Sequence, residues 1–198
     1  MNRLLVATNN RGKQLEFLRL LAHLPGEIVT PDDIGLALEV DEPFHTYAEN
    51  ARVKADAFCR ASGLLTLADD SGLEVSALDG GPGVRTGRYG GPQVDDKVTY
   101  LLERLAQADD RRARMVCVLA IAIPVPPVRR VELFEGVIDG EIARDRRGSG
   151  GFGFDPIFLL SSGVTTAELP EDEKDRLSHR GQAVAAATPR LVELLRGM

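Results

Sequence analysis

Cysteine, lysine and long apolar runs are all scarce in this 198-residue chain, and each shortage excludes something. Cys59 and Cys117 are the only cysteines, far apart, with no Cys-x-x-Cys spacing and no histidine beside them. They make neither a disulfide scaffold nor a structural metal site and are expected to be reduced, buried thiols of a cytoplasmic protein. The longest apolar stretch, residues 115–125, is too short to span a bilayer. Met1 is followed almost at once by a strand-like run, not by the charged-then-apolar leader of a secreted protein. No basic stripe is present and the net charge is −6, which argues against bulk nucleic-acid binding. Repeats and linkers are absent too, so residues 1–198 are expected to form a single domain. Of the 24 basic side chains only Lys13, Lys54, Lys97 and Lys174 are lysines. In so arginine-biased a chain, a lysine marks a place where a compact ammonium is wanted instead of a guanidinium fork.

What is present is organised around Leu64-Leu65-Thr66-Leu67-Ala68-Asp69-Asp70-Ser71-Gly72. The apolar run reads as a buried strand expected to stop at the two acids, which are then placed at its C-terminal end, where open α/β sheets bind ligands. Adjacent strand residues face opposite ways, so one carboxylate can face a metal or water while its neighbour faces a loop. Asp-Asp-Ser-Gly is also the composition of a plain polar turn.

Upstream, residues 3–7 read as a strand running into Thr8-Asn9-Asn10-Arg11-Gly12-Lys13 and then a helix with Leu15, Leu18, Leu21 and Ala22 expected on its buried face. Strand, polar turn, lysine and helix N-terminus together make an anion cradle, although the Walker A spacing is missing. Residues 27–30 suggest a second strand. An acidic loop with Glu42 follows, and Thr46-x-x-Glu49 is a capping box that opens a helix closed by Gly63. On that helix Asn50 and Lys54, four apart, share a face. Residues 95–106 read as a further helix.

The nine apolar residues 115–123, followed by Pro124-Val125-Pro126-Pro127, suggest a strand buried on both faces, with residues 131–138 as its neighbour. Gly151-Phe152-Gly153-Phe154-Asp155 lets backbone approach a planar ligand while an aromatic ring stacks on it; a glycine-rich turn with core phenylalanines reads equally well. Ser178 is expected to cap a last helix that Pro189 kinks or restarts, with Thr188 as the new cap.

Taken in order, Thr8-x-Asn10-x-x-Lys13, Glu49-Asn50-Ala51, Ala68-Asp69-Asp70-Ser71-Gly72, Gly151-Phe152-Gly153-Phe154-Asp155-Pro156, Glu173-Lys174 and Ser178-His179-Arg180-Gly181 resemble the non-standard purine nucleoside triphosphate pyrophosphatases, the inosine/xanthosine triphosphatase family. The resemblance implies an α/β fold with a long mixed sheet, two lobes around a deep cleft and a homodimer. It further implies Mg²⁺-dependent hydrolysis of inosine, deoxyinosine and xanthosine triphosphates to monophosphate and pyrophosphate. By the same resemblance, Thr8, Asn9, Asn10, Arg11, Gly12 and Lys13 hold the triphosphate, and Lys54 and Lys174 add positive charge. Asp70 is the general base and a metal residue, Glu42 and Asp69 are further metal carboxylates, and Ser71 touches substrate. Phe152, Gly153, Phe154 and Asp155 receive the base, whose edge His179 and Arg180 read. Two departures stand out: Phe154 where relatives often carry Tyr or Trp, and Pro43 where Thr is expected after Glu42. Maf-like pyrophosphatases and a catalytically silent nucleotide-binding module are the rival readings.

Overall fold

A computed structural model describes residues 2–94, 96–124 and 130–197. Six strands form one sheet in the order β2-β1-β3-β4-β5-β6: β1 Arg3–Val6, β2 Glu27–Val29, β3 Leu65–Val75, β4 Arg112–Ile123, β5 Arg130–Ile142 and β6 Phe158–Leu159. The sheet is mixed, because β1 pairs parallel with β2 and β3 whereas β5 and β6 are antiparallel. Among the described residues five α-helices accompany it: α1 Arg11–Leu20, α2 Tyr47–Ser62, α3 Lys97–Arg104, α4 Glu171–Leu177 and α5 His179–Gly197. The chain is thus of the expected α/β class. Asp95, expected to open the third helix, and Val125, Pro126 and Pro127 lie outside the described residues; Asp96 caps α3.

The chain divides into two compact units. The first takes in residues up to Asp70, Cys117–Gly136 and the chain from Arg180 onward; the second comprises Ser71–Val116 and Val137–His179. Strands β3, β4 and β5 contribute residues to both. In the first unit, Leu4, Val6, Leu65, Leu67, Leu119 and Ile121 pack with Phe17 and Leu21 of α1 and with Val184, Ala187, Leu191 and Leu195 of α5. The second unit has its own core of Leu73, Val75, Leu101, Leu105, Ile138, Ile157 and Phe158. Strand β4 is buried almost throughout, as nine consecutive apolar residues require.

Helix signals were local and hold. Asn10 Oδ1 accepts the Lys13 N–H and caps α1, while Thr46 Oγ1 accepts the Glu49 N–H and caps α2. Gly63, at φ 70°, closes α2 in the left-handed conformation.

Three expectations fail. First, β3 does not stop at the paired acids but runs on through Asp69, Asp70, Ser71 and Gly72 to Val75. What ends there is its neighbour: β1 pairs with β3 only as far as Val6 opposite Leu67, with a last bond from the Ala7 N–H to the Leu67 carbonyl at 2.7 Å. Second, α1 buries Gln14, Glu16, Phe17 and Leu21, whereas Leu15 is 46% exposed. Polar side chains occupy the inner face because they have partners there, the Gln14 amide donating to the Thr8 carbonyl at 2.9 Å and Glu16 meeting Arg180. Third, of the two outcomes expected at Pro189 the restart does not occur: α5 is continuous through it, and Thr188 donates its hydroxyl to the Val184 carbonyl instead of capping a new helix. Pro189 and Ala185 are exposed, so the carbonyl that Pro189 cannot engage faces water.

The corrected face of α1 has a direct test. Phe17→Ala should lower the free energy of urea unfolding by about 3–5 kcal/mol. Leu15→Ala should change it by no more than about 0.5 kcal/mol. Equal costs would mean the helix is rotated.

Candidate active site

Strand alternation decides what the paired acids do. Leu65, Leu67 and Asp69 share one parity and point to the face covered by α1 and α5; Asp70 points to the other, toward α2. The two carboxylates therefore diverge and meet different partners.

Asp69 is fully buried, with Oδ2 2.8 Å from Lys13 Nζ and 3.7 Å from Arg180 Nε. Arg180, only 3% exposed, is ion-paired to Glu16, itself buried on α1. Burial alone would push the Asp69 carboxyl up, but Lys13, Arg180 and Lys54 outweigh it and hold the group well below the usual carboxylate range. Its second oxygen, Oδ1, is buried without a hydrogen-bond partner among the described residues.

Asp70 is 5% exposed, and its Oδ2 accepts a hydrogen bond from Asn50 Nδ2 at 3.0 Å. Burial lifts its carboxyl pKa to about 6; the Asn50 bond, Lys13 and Lys54 pull the other way, and Glu42 adds to the rise. A carboxyl poised there is mostly ionised at neutral pH yet basic enough to take a proton.

Lys54 lies one turn beyond Asn50 on α2. Its ammonium donates to the Asp69 carbonyl at 2.9 Å and is paired with Glu42. Burial would lower its pKa, but Asp69, Glu42 and Asp70 together raise it, so it is charged.

The turn between β1 and α1 lies at the end of β1 and beside these acids. The buried Thr8 hydroxyl accepts the Asn10 N–H at 3.2 Å, and the Asn9 side chain donates to the Leu38 carbonyl at 3.0 Å. Gly12 lies in the first turn of the helix between an exposed Arg11 and the half-buried Lys13, and Arg11 reaches Gln14 at 3.4 Å. Helix N-terminus and ammonium are thus brought to one place, as an anion cradle requires.

The other predicted residues belong to the second unit. Asp155, 4% exposed, ties a knot: it accepts the Phe152 N–H at 2.7 Å, the Thr166 hydroxyl at 2.9 Å and the Lys174 ammonium at 2.7 Å. Gly151 sits at φ 70°, and a Cβ there would collide with the Asp155 carboxylate, so the turn demands glycine. Lys174 also lies over the Phe152 ring, 5.1 Å from its centroid. Phe154 is a core residue, buried and set edge-on to Tyr89, whereas Phe152 is half-buried. Ser71 is half-buried and His179 buried at the first position of α5.

The expected metal set of Asp70, Glu42 and Asp69 does not assemble. Among the described residues no three His, Cys, Asp or Glu side chains are grouped to hold a metal ion. Asp69 lies on the opposite face of the strand, and Glu42 is engaged by Lys54. Asp70 and Glu42 remain within electrostatic reach of one another. Two hard carboxylates suit Mg²⁺, which commonly takes one or two such ligands and completes its shell with water and substrate phosphate. The sequence reading missed Glu16, Gln14 and the contacts of Asn50. Glu16 and Gln14 sit at helix positions where a polar residue ordinarily faces solvent, which gave no signal.

The Ham1 family model matches residues 4–190 of this chain. A dITP/XTP pyrophosphatase of Symbiobacterium thermophilum is 45% identical over 195 residues, covering 98% of this chain and 96% of that protein. One of Nitrosomonas europaea is 46% identical over 198 residues, covering 98% and 95%. The structure of a HAM1 protein from Coxiella burnetii superposes with a TM-score of 0.84 at 38% identity, covering 98% of this chain and all of the other.

The neighbouring acids affect stability with opposite signs. Asp70 titrates at about 6 when folded against an ordinary 3.8, so between those values the folded state holds more protons and stability falls as pH rises. Asp69, held low, contributes stability that is present above the ordinary carboxylate range and lost on acidification. In EDTA near pH 7.5, Asp70→Asn should therefore raise the free energy of urea unfolding by about 1–3 kcal/mol, a gain that vanishes near pH 4. Asp69→Asn should lower it by about 3–5 kcal/mol, since Lys13 and Arg180 lose their counter-charge. Shifts of the same sign would refute this picture.

Proposed function

This chain belongs to the Ham1 family, and from that premise we propose that it hydrolyses the α–β phosphoanhydride of non-standard purine nucleoside triphosphates, dITP, ITP and XTP, to the monophosphate and pyrophosphate. The observation that carries the proposal is the convergence on β3 of Lys13, Lys54 and two acids held in opposite electrostatic states. Its role is to clear deaminated purines from the nucleotide pool, and residues 1–198 act as a single catalytic domain.

The polyanionic tail is held by the Thr8 hydroxyl, the first N–H groups of α1 with Asn9, Asn10, Arg11 and Gly12 around them, and the ammonium groups of Lys13 and Lys54. Asp69, itself paired with Arg180, keeps Lys13 in place. Asp70 accepts the proton of the attacking water, help worth roughly 10²- to 10⁴-fold. The water oxygen forms the new P–O bond as the bridging P–O bond breaks and pyrophosphate leaves. Mg²⁺ is the cofactor assigned here, with Asp70 and Glu42 as its carboxylates; when bound it neutralises charge developing on the phosphoryl oxygens.

In the second unit Phe152 stacks on the base, while Gly153, Asp155 and Lys174 shape its surroundings and Ser71 touches substrate. A 6-oxo purine presents an acceptor where adenine presents a donor. His179 and the backbone N–H groups that open α5 supply donors for it. The Arg180 guanidinium, taken up by Glu16 and Asp69, supports the phosphate end instead of reading the purine edge. Rejection of adenine by a site built on such bonds can reach roughly 10⁴. The homodimer and the cytoplasmic setting implied by the resemblance belong to the same proposal. Among the described residues no helix is long and apolar enough to cross a membrane.

Incubation with dITP, XTP, ATP, GTP and TTP, with and without Mg²⁺, tests the reading. Pyrophosphate should appear from dITP and XTP in the presence of Mg²⁺; orthophosphate, or equal rates on all five, would overturn it. Asp70→Asn should lower kcat by roughly 10²- to 10⁴-fold, with dITP binding retained in a filter or calorimetric assay.

A further inference from the structure

One side chain links Asp70 to the segment that carries Glu42. Asn50 is 1% exposed, and its amide is engaged on both sides. Its Oδ1 accepts the Phe44 N–H at 3.1 Å, while its Nδ2 donates to the Phe44 carbonyl at 3.2 Å and to Asp70 Oδ2 at 3.0 Å. Residues 41–44 have no helical or strand bonding of their own, so these bonds and the Lys54–Glu42 pair attach them to α2. Asn50 and Lys54 stand one turn apart, so a single helix face grips both ends of the Glu42–Phe44 stretch. If Asn50 only stapled this loop, the two backbone bonds to Phe44 would suffice. The third bond, to Asp70, uses the remaining donor and joins the loop to the acid.

We propose that Asn50 is a positioning residue of the hydrolytic site, whose amide sets Asp70 and the Glu42 segment in fixed register with each other. The proposal rests on the functional reading above and gives Asn50 a role that touches neither substrate nor the reacting atoms. Asn50 acts through the two carboxylates, as outer partners of metal-ligating carboxylates do.

The test compares the parent protein with Asn50→Leu, which keeps the branched outline and heavy-atom count of the side chain but makes no hydrogen bonds. Asn50→Ala carries the same readouts should the leucine variant not fold. Mn²⁺ binding is followed by electron paramagnetic resonance in the presence of an α,β-methylene analogue of dITP, alongside steady-state hydrolysis of dITP. Mn²⁺ affinity and kcat are each expected to fall by roughly 10- to 100-fold, with KM for dITP changed by no more than about threefold. Placing Asn50→Leu in a Glu42→Gln background should weaken Mn²⁺ by clearly less than the sum of the single effects, since both act on one arrangement. Full additivity would overturn the proposal, as would parental Mn²⁺ affinity and kcat in Asn50→Leu. A parent protein that releases no pyrophosphate would overturn the functional reading alone, because the Mn²⁺ titration still decides on Asn50.

Discussion

The buried ion pair between Lys13 and Asp69 is the constraint on which the first unit depends. A carboxylate with no exposure is tolerable only when its charge is met, and here Lys13 at 2.8 Å and Arg180 at 3.7 Å meet it. Those partners come from α1 and α5, so the same pairing that satisfies the acid holds the β1–α1 turn and the start of α5 on β3. It also explains why β3 can carry two acids in mid-strand. Polar side chains end a strand when only water can satisfy them, and these two are satisfied inside the protein.

From that anchor follows the difference between the two acids. Neighbours in sequence, they face opposite sides of the sheet, and the face with two cations nearby yields a carboxylate held well below the usual range. The other face offers an amide, more distant lysines and a like-charged glutamate, and yields a carboxyl near 6. One is suited to hold cations in place, the other to exchange a proton. The scarcity of lysine acquires a physical meaning here. Lys13 and Lys54, two of only four, are at this site, and the Lys54 ammonium serves both the Asp69 carbonyl and Glu42 from a single point of charge, which a planar guanidinium does less readily. Lys174 fills the corresponding place in the second unit against Asp155.

The second unit shows how a loop rich in glycine becomes rigid. Asp155 gathers the Phe152 N–H, Thr166 and Lys174, and Gly151 supplies the positive φ and the missing side chain that let the chain fold over that carboxylate. Of the two phenylalanines only one takes the core role. Phe154 is core, while Phe152 keeps part of its ring exposed, a division that loop composition does not reveal.

Signals that act within a few residues were legible in the chain itself. The caps Asn10 and Thr46, the closing Gly63, the doubly buried β4 and the α/β class are read directly, because capping, turn formation and apolar runs are settled between near neighbours in sequence. The ordered motifs likewise led to the family. What only tertiary structure decided was which polar residues are inside and whom they meet. Leu15 looked like core and Glu16 and Gln14 like surface, yet Arg180, 164 residues away, and the Thr8 carbonyl reversed the assignment. The divergence of Asp69 from Asp70, the attachment of Glu42 to Lys54 and the threefold engagement of Asn50 are of the same kind. Each depends on the energy of a buried charge or amide, and that energy is set by partners that folding alone brings into contact.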